Sequence, residues 1–163
     1  KVYIPKYIFP LEKGCFAFVN CLFSFVALAL VLLFSRTPVS WNTVVLAVYP
    51  LVMLFFFSLG IGLVLSSLYV FVRDIMHLWE VFCTLLSYAS AIFYDPEMMS
   101  GVMQQIIHLN PLYWYITAFR GCVLWGRGLT VSMLVVCFLC AAVSMTIGIL
   151  VFKKTQDKFV LYM

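Results

Sequence analysis

Residues 60–94, GIGLVLSSLYVFVRDIMHLWEVFCTLLSYASAIFY, constrain this chain more than any other stretch. Two apolar segments flank the charged pair Arg73-Asp74. Neither flank carries the polar residue at every third or fourth position that a helix on the surface of a soluble domain shows. Each flank is long enough to cross most of a hydrocarbon layer about 30 Å thick, and the charges fall where the chain would return to water. The stretch reads as a transmembrane hairpin with its turn in the cytoplasm.

Composition agrees. The chain has 163 residues, 66% hydrophobic and 10% charged, where soluble domains carry about 25% charged residues. Its mean hydropathy is +1.13. That length has room for about four spans plus loops. A start at Lys1 without a signal-peptide pattern is expected of a piece of a longer protein. The net charge of +4 is not gathered into a basic block, so no nucleic-acid partner is expected. Five of the six cysteines (Cys15, Cys21, Cys83, Cys137 and Cys140) lie inside apolar runs, where thiols act as small hydrophobes. The Cys137–Cys140 spacing lacks the second pair or histidine that a metal or redox site needs.

The expected fold is all-α and integral to the membrane, a single transmembrane domain over residues 1–163. It has four transmembrane helices and a pair of short re-entrant or interfacial helices before the last span. Residues 1–13 carry Pro5 and Pro10 and form an irregular, cytoplasmic or interfacial lead-in. The first span is 14–34, and 35–42 is a short outer connection. The second run, 43–72, is longer than one perpendicular helix needs, and Pro50 marks its true N-terminal turn. Ser58, Gly62 and Ser66 recur every four residues within it, a small-residue stripe suited to close helix packing. The third span is 77–94. The outer loop, 95–128, is broken at Asn110-Pro111 into pieces of about 9 to 13 residues, too short to span. The last span is 129–152, and 153–163 is a cytoplasmic tail.

Charge asymmetry sets the orientation. Lys1, Lys6, Lys13, Arg73, Lys153, Lys154 and Lys158 fall on one side, and Arg36, Arg120 and Arg127 on the other. The richer side is cytoplasmic by the positive-inside rule. Asp74, His77 and Glu80 stand three apart, on one face at the start of the third span, where they read as solvated end residues.

Catalytic and metal sites are not expected. There is no phosphate-binding glycine loop and no nucleophile elbow. His77 and His108 fall on opposite sides of the membrane in this topology. No charged residue sits mid-span, so the acidic relay of many ion-driven carriers is missing. If the chain moves a cargo, its energy comes from another subunit. Aromatics crowd the outer half: Tyr88, Phe93, Tyr94, Tyr113, Trp114, Tyr115, Phe119 and Trp125. They suit interfacial anchoring. They equally suit a sugar path, in which ring faces pack on pyranose C–H faces while polar tips and Arg120 meet hydroxyls or phosphates.

Four stretches carry a family resemblance: residues 1–13 (KVYIPKYIFPLEK), 60–79 (GIGLVLSSLYVFVRDIMHLW), 91–96 (AIFYDP) and 109–121 (LNPLYWYITAFRG). In this order they resemble the permease subunit of type-2 ABC exporters, and more narrowly the branch exporting O-antigen, teichoic acid and other surface polysaccharides. Ala91 departs from the proline that relatives often place before Ile-Phe-Tyr. The resemblance implies that this chain supplies the third to sixth of six spans. It implies a homodimer of permeases bound to two ATPase subunits, with a lipid-linked glycan as cargo and a bacterial plasma membrane as the setting. No cofactor is expected on this chain; ATP and Mg belong to the partner ATPase. Lys1, Lys6, Arg73, Asp74 and His77 fall on the ATPase-coupling side. Tyr88, Phe93, Tyr94, Asn110, Pro111, Tyr113, Trp114, Tyr115 and Arg120 form the candidate substrate path and outer gate.

Other readings stay open on the residues alone. One is a type-2 permease for a drug or a lipid. Another is a membrane-embedded enzyme acting on lipid-linked sugars, whose outer acid/base candidates would be Asp95, Glu97 and His108. A third is a noncatalytic assembly scaffold.

Overall fold

The computed structural model describes residues 7–34, 41–90 and 101–156. Among the described residues the secondary structure is helical: α1 (Ile8–Phe34), α2 (Trp41–Leu46), α3 (Val48–Tyr69), α4 (Ile75–Ala89), α5 (Val102–Leu109), α6 (Pro111–Val123) and α7 (Val131–Thr155). Among the described residues, three stretches are long and apolar enough to cross a bilayer: Ile8–Leu32, Val44–Tyr69 and Val131–Thr155. At about 1.5 Å per residue, α1, α3 and α7 each exceed the roughly 30 Å of hydrocarbon.

Prolines set the helix starts. Helix α1 begins at Ile8 and runs through Pro10, six residues ahead of the span expected from 14. Pro10 is the third helical residue, where the backbone N–H has no intrahelical acceptor, so its absence costs nothing. The irregular lead-in therefore cannot extend to residue 13. Pro50 sits likewise in the first turn of α3, as the sequence indicates. Its ring and missing N–H act on the turn before it. There the chain leaves α2 at Ala47, whose amide bonds the Val44 carbonyl at 3.1 Å in a tighter turn.

The core is the pair α3 and α7, the most extensive helix contact in the structure. Gly60 makes it possible. A methyl group on Gly60 would collide with the backbone of Ser144, and one on Gly148 would strike the Gly60 carbonyl oxygen. Backbone meets backbone there, the geometry by which membrane helices gain dispersion contacts without a hydrophobic driving force. Ser144 Oγ donates to the Phe57 carbonyl at 2.8 Å, and Tyr49 Oη to the Leu134 carbonyl at 2.9 Å. Below this contact Leu63 and Phe152 are buried against Val70 and Met145. At the other end Ala47, Cys122 and Val123 form a second cluster with Leu32, Phe119 and Leu129.

The stripe Ser58, Gly62 and Ser66 takes no part in this approach. A methyl group on Gly62 would meet nothing within 4 Å, and all three residues border an open groove. The close contact uses Gly60, two positions away and on a different face of the helix.

Helix α1 leans on α3 through Phe18 and Phe55, with ring centroids 4.6 Å apart, and through Gly14 beneath Leu59. Its other face is bare: Phe16 and Phe23 are 66% and 69% exposed. Such a surface suits lipid tails and would be an aggregation site in water. Helix α4 has 15 residues and no buried side chain. Those residues cover about 22 Å, short of a full crossing, and the rest of the expected third span (91–94) lies outside the described residues.

Candidate functional site

The hairpin turn is a short non-helical stretch. After α3 ends at Tyr69, the Phe71 and Val72 amides both bond to the Leu68 carbonyl, at 3.0 and 2.9 Å. Arg73 and Asp74 follow, both exposed. Asp74 precedes α4 without a side-chain capping bond, and its carbonyl accepts from the His77 and Leu78 amides at 3.1 and 3.3 Å. His77 and Glu80 are exposed on the first turns of α4. The turn thus offers both charge signs to a partner. Lys1 and Lys6, expected beside it, lie outside the described residues.

The second candidate region is the break between α5 and α6. A residue before proline is pushed out of the helical region, and Asn110 adopts φ −76° and ψ 117°. Its side chain then serves two partners. Oδ1 accepts from the Leu112 amide at 3.0 Å, capping α6 with Pro111 at its first position. Nδ2 donates to Ser90 Oγ at 3.0 Å. Ser90 in turn donates to the Leu86 carbonyl. Both side chains are buried, Ser90 at 1% exposure and Asn110 at 6%. A satisfied polar pair in an apolar setting fixes where the break sits relative to the end of α4.

Aromatic groups gather next to that break. His108 and Tyr113 meet edge to face with ring centroids 5.0 Å apart. Trp114 lies 5.8 Å from each of them, and its Nε1 donates to the His108 carbonyl at 2.9 Å. Tyr113 and Trp114 are half-buried and His108 is exposed. The cluster presents ring faces and an imidazole to the surroundings. Such groups can pack on the apolar face of a sugar and bond to its hydroxyls.

Tyr115 does not join them. It is 2% exposed, its hydroxyl donates to the Cys137 carbonyl at 2.8 Å, and Phe57 packs 5.6 Å from its ring. Its role is to bolt α6 to α7. Asn110 is likewise a clamp and not a lining group. Tyr88 is 63% exposed on α4, and Arg120 is half-buried on α6. Phe93 and Tyr94, with Asp95 and Glu97, lie outside the described residues.

Two clefts border Trp79 of α4. A groove of about 880 Å³ runs between α1, α3 and the start of α4. A smaller cleft of about 500 Å³ lies along α3 and α7, with Trp79 at one side and Pro111 at its rim. Of the sequence-predicted path residues that are described, only Pro111 lines either one. Sequence reasoning missed Trp79, which borders both, and the Ser90 partner of Asn110. It also missed Gly60 and its α7 counterparts, although Cys140, Ser144 and Gly148 repeat at four-residue spacing in the sequence.

Residues 1–124 match the family described as ABC-2 type transporter. The chain belongs to that family. The match covers α1 to α6 and so includes the turn, the Asn110 break and the aromatic cluster. No curated protein and no solved structure matches the chain. Membership makes this ABC-2 chain a multi-pass membrane permease component of an ABC transporter, for which an ABC ATPase is the implied partner.

Proposed function

We propose that this ABC-2 chain is the permease of an exporter that passes a lipid-linked polysaccharide across a bacterial plasma membrane. The glycan is of the O-antigen, teichoic acid or capsule kind. Two copies form the translocating unit, and two copies of a separate ATPase bind ATP and Mg and drive it. The chain supplies four spans, with α4 in the third, and residues 1–13 and 153–163 are on the cytoplasmic side. Arg73, Asp74 and His77 face the ATPase, together with Lys1 and Lys6.

The observation that carries the reading is the Asn110 break. Two helices of 8 and 13 residues, too short to cross, are clamped to the end of α4 and carry the His108, Tyr113 and Trp114 cluster. Short helices at membrane depth are tolerated where they are buried in protein or line a water-filled path. Aromatic faces supply the apolar half of sugar recognition there.

The test is reconstitution of the permease with its ATPase in proteoliposomes, following glycan export under ATP. Export that proceeds equally with a hydrolysis-dead ATPase would sink the proposal. A drug or simple lipid as cargo is the second reading, favoured by the apolar lining of the 880 Å³ groove. Competition separates the two: a lipid-linked glycan should displace one cargo class and not the other.

A further inference from the structure

We infer that the polar face of α4 lines a water-filled path, and that its row of hydrogen-bond acceptors selects an uncharged, hydroxyl-rich glycan. The inference deepens the export reading and rests on it, α4 being taken as part of the third span.

The structure divides α4 into distinct faces. Ile75, Trp79, Cys83, Leu86 and Ala89 are half-buried and recur every three or four residues, so they mark the side packed against the rest of the chain. His77, Glu80, Thr84, Ser87 and Tyr88 are exposed. At 3.6 residues per turn these five fall within one arc of about 100°, on the side turned away from the packed face. They run along about 16 Å of helix, from beside the charged turn to within one turn of Ser90, the partner of Asn110. This flank of the hairpin therefore does carry a polar residue at every third or fourth position, contrary to the uniform apolarity read from the sequence. Leu78 and Leu85, 66% and 63% exposed, form an apolar edge beside the polar face.

A bilayer accepts that edge and rejects the face. An ionisable residue within a span turns to a water-filled cavity or a protein partner, and Glu80 is the sixth residue of α4. A second copy is a poor partner for this face. Two copies share one membrane orientation, so their stripes would meet level with level, carboxylate against carboxylate. Water and a polar cargo remain.

The acceptors set the cargo. Thr84 Oγ1 donates to the Glu80 carbonyl at 3.0 Å, and Ser87 Oγ to the Cys83 carbonyl at 2.9 Å. With their protons engaged by the helix, both hydroxyl oxygens remain as acceptors, and the Glu80 carboxylate can only accept. Sugar hydroxyls supply the matching donors. Phosphodiesters bring acceptors and negative charge, and so match neither the row nor Glu80. Among the proposed cargo kinds, a polyol-phosphate chain such as teichoic acid is therefore disfavoured.

Two measurements test this on the permease with its ATPase in proteoliposomes. Thr84→Cys and Ser87→Cys should react with a water-soluble cationic methanethiosulfonate at least tenfold faster than Leu85→Cys, read by peptide mass spectrometry so that the native cysteines are resolved. Equal rates overturn the path, whatever the chain exports. Slow reaction with ready disulfide cross-linking between copies also overturns it and places a second copy on the stripe. In the same vesicles, the unaltered chain should export an uncharged lipid-linked glycan at least threefold faster than a phosphate-bearing one on the same carrier. Glu80→Gln should narrow that ratio toward one. No preference in the unaltered chain, or an unchanged ratio in Glu80→Gln, overturns the selectivity. Export of neither glycan, with the thiols still reactive, overturns the export reading and the cargo assignment with it, and is thereby distinguished from a failure of the path.

Discussion

The amide of Asn110 donates to the hydroxyl of Ser90 across 3.0 Å, so the break between α5 and α6 is pinned to the last turn of α4. One side chain both ends a helix pair and locates it. Asn110→Ala should cost about 1–3 kcal/mol, from the lost cap and the lost buried bond together. Asn110→Asp keeps an acceptor for the Leu112 amide but loses the donor to Ser90, so it isolates the clamp. We expect an intermediate drop in melting temperature and a clear loss of export. Wild-type values of both for Asn110→Asp would show that the clamp does not position the gate.

Gly60 and Gly148 give a second, structural prediction. Gly148→Ala should push α3 and α7 apart and destabilise the fold by about 1–3 kcal/mol, the usual range for overpacking. Gly62→Ala is the control, since its methyl group meets open space and should change stability by less than about 1 kcal/mol. Thermal unfolding in one detergent compares the pair directly.

Neighbouring tyrosines should behave oppositely. Tyr115→Phe removes a buried bond to the Cys137 carbonyl and should lower stability by about 0.5–1.5 kcal/mol, with export per folded molecule unchanged. Tyr113→Ala with Arg120→Ala should leave ATPase association intact and reduce export by tenfold or more. If the double variant exports normally, the aromatic cluster is an anchor and not part of the path.

Charge reversal in the turn tests the coupling side. Arg73 and Asp74 are exposed, so Arg73→Glu should alter stability by no more than about 0.5 kcal/mol. It should weaken co-purification with the ATPase several-fold. Unchanged co-purification together with unchanged ATP-dependent export would remove this turn from the interface.

Much of the fold is legible in the residues because local rules act alone there. Pro50 and Pro111 each open a helix whatever surrounds them, since a missing N–H costs nothing in a first turn. The break at Asn110 follows from the sterics of a residue before proline. Pro10 was harder: two prolines five apart suggest an irregular segment, but a helix starting at Ile8 needs to accommodate only one of them. The candidate site was less legible. Tyr113, Trp114 and Tyr115 are consecutive aromatics with similar chemistry. Only the rotation of α6 against α7 puts Tyr115 in the core and leaves its two neighbours at the surface of the cluster.

The sequence by itself determined that this chain lives in a membrane, that helices open at Pro50 and break at Asn110-Pro111, and where its charged turn lies. Composition and backbone sterics settle these without reference to any neighbour. Only the tertiary structure decided which small residues carry the packing. The residues Ser58, Gly62 and Ser66 repeat as a motif should, yet Gly60 makes the backbone contact with α7 and the stripe is left facing the groove. Apolar side chains fit lipid and protein alike, so a membrane helix has no hydrophobic pattern to mark its buried face. The rotation of each helix is set by where two backbones can approach, and that depends on both partners at once.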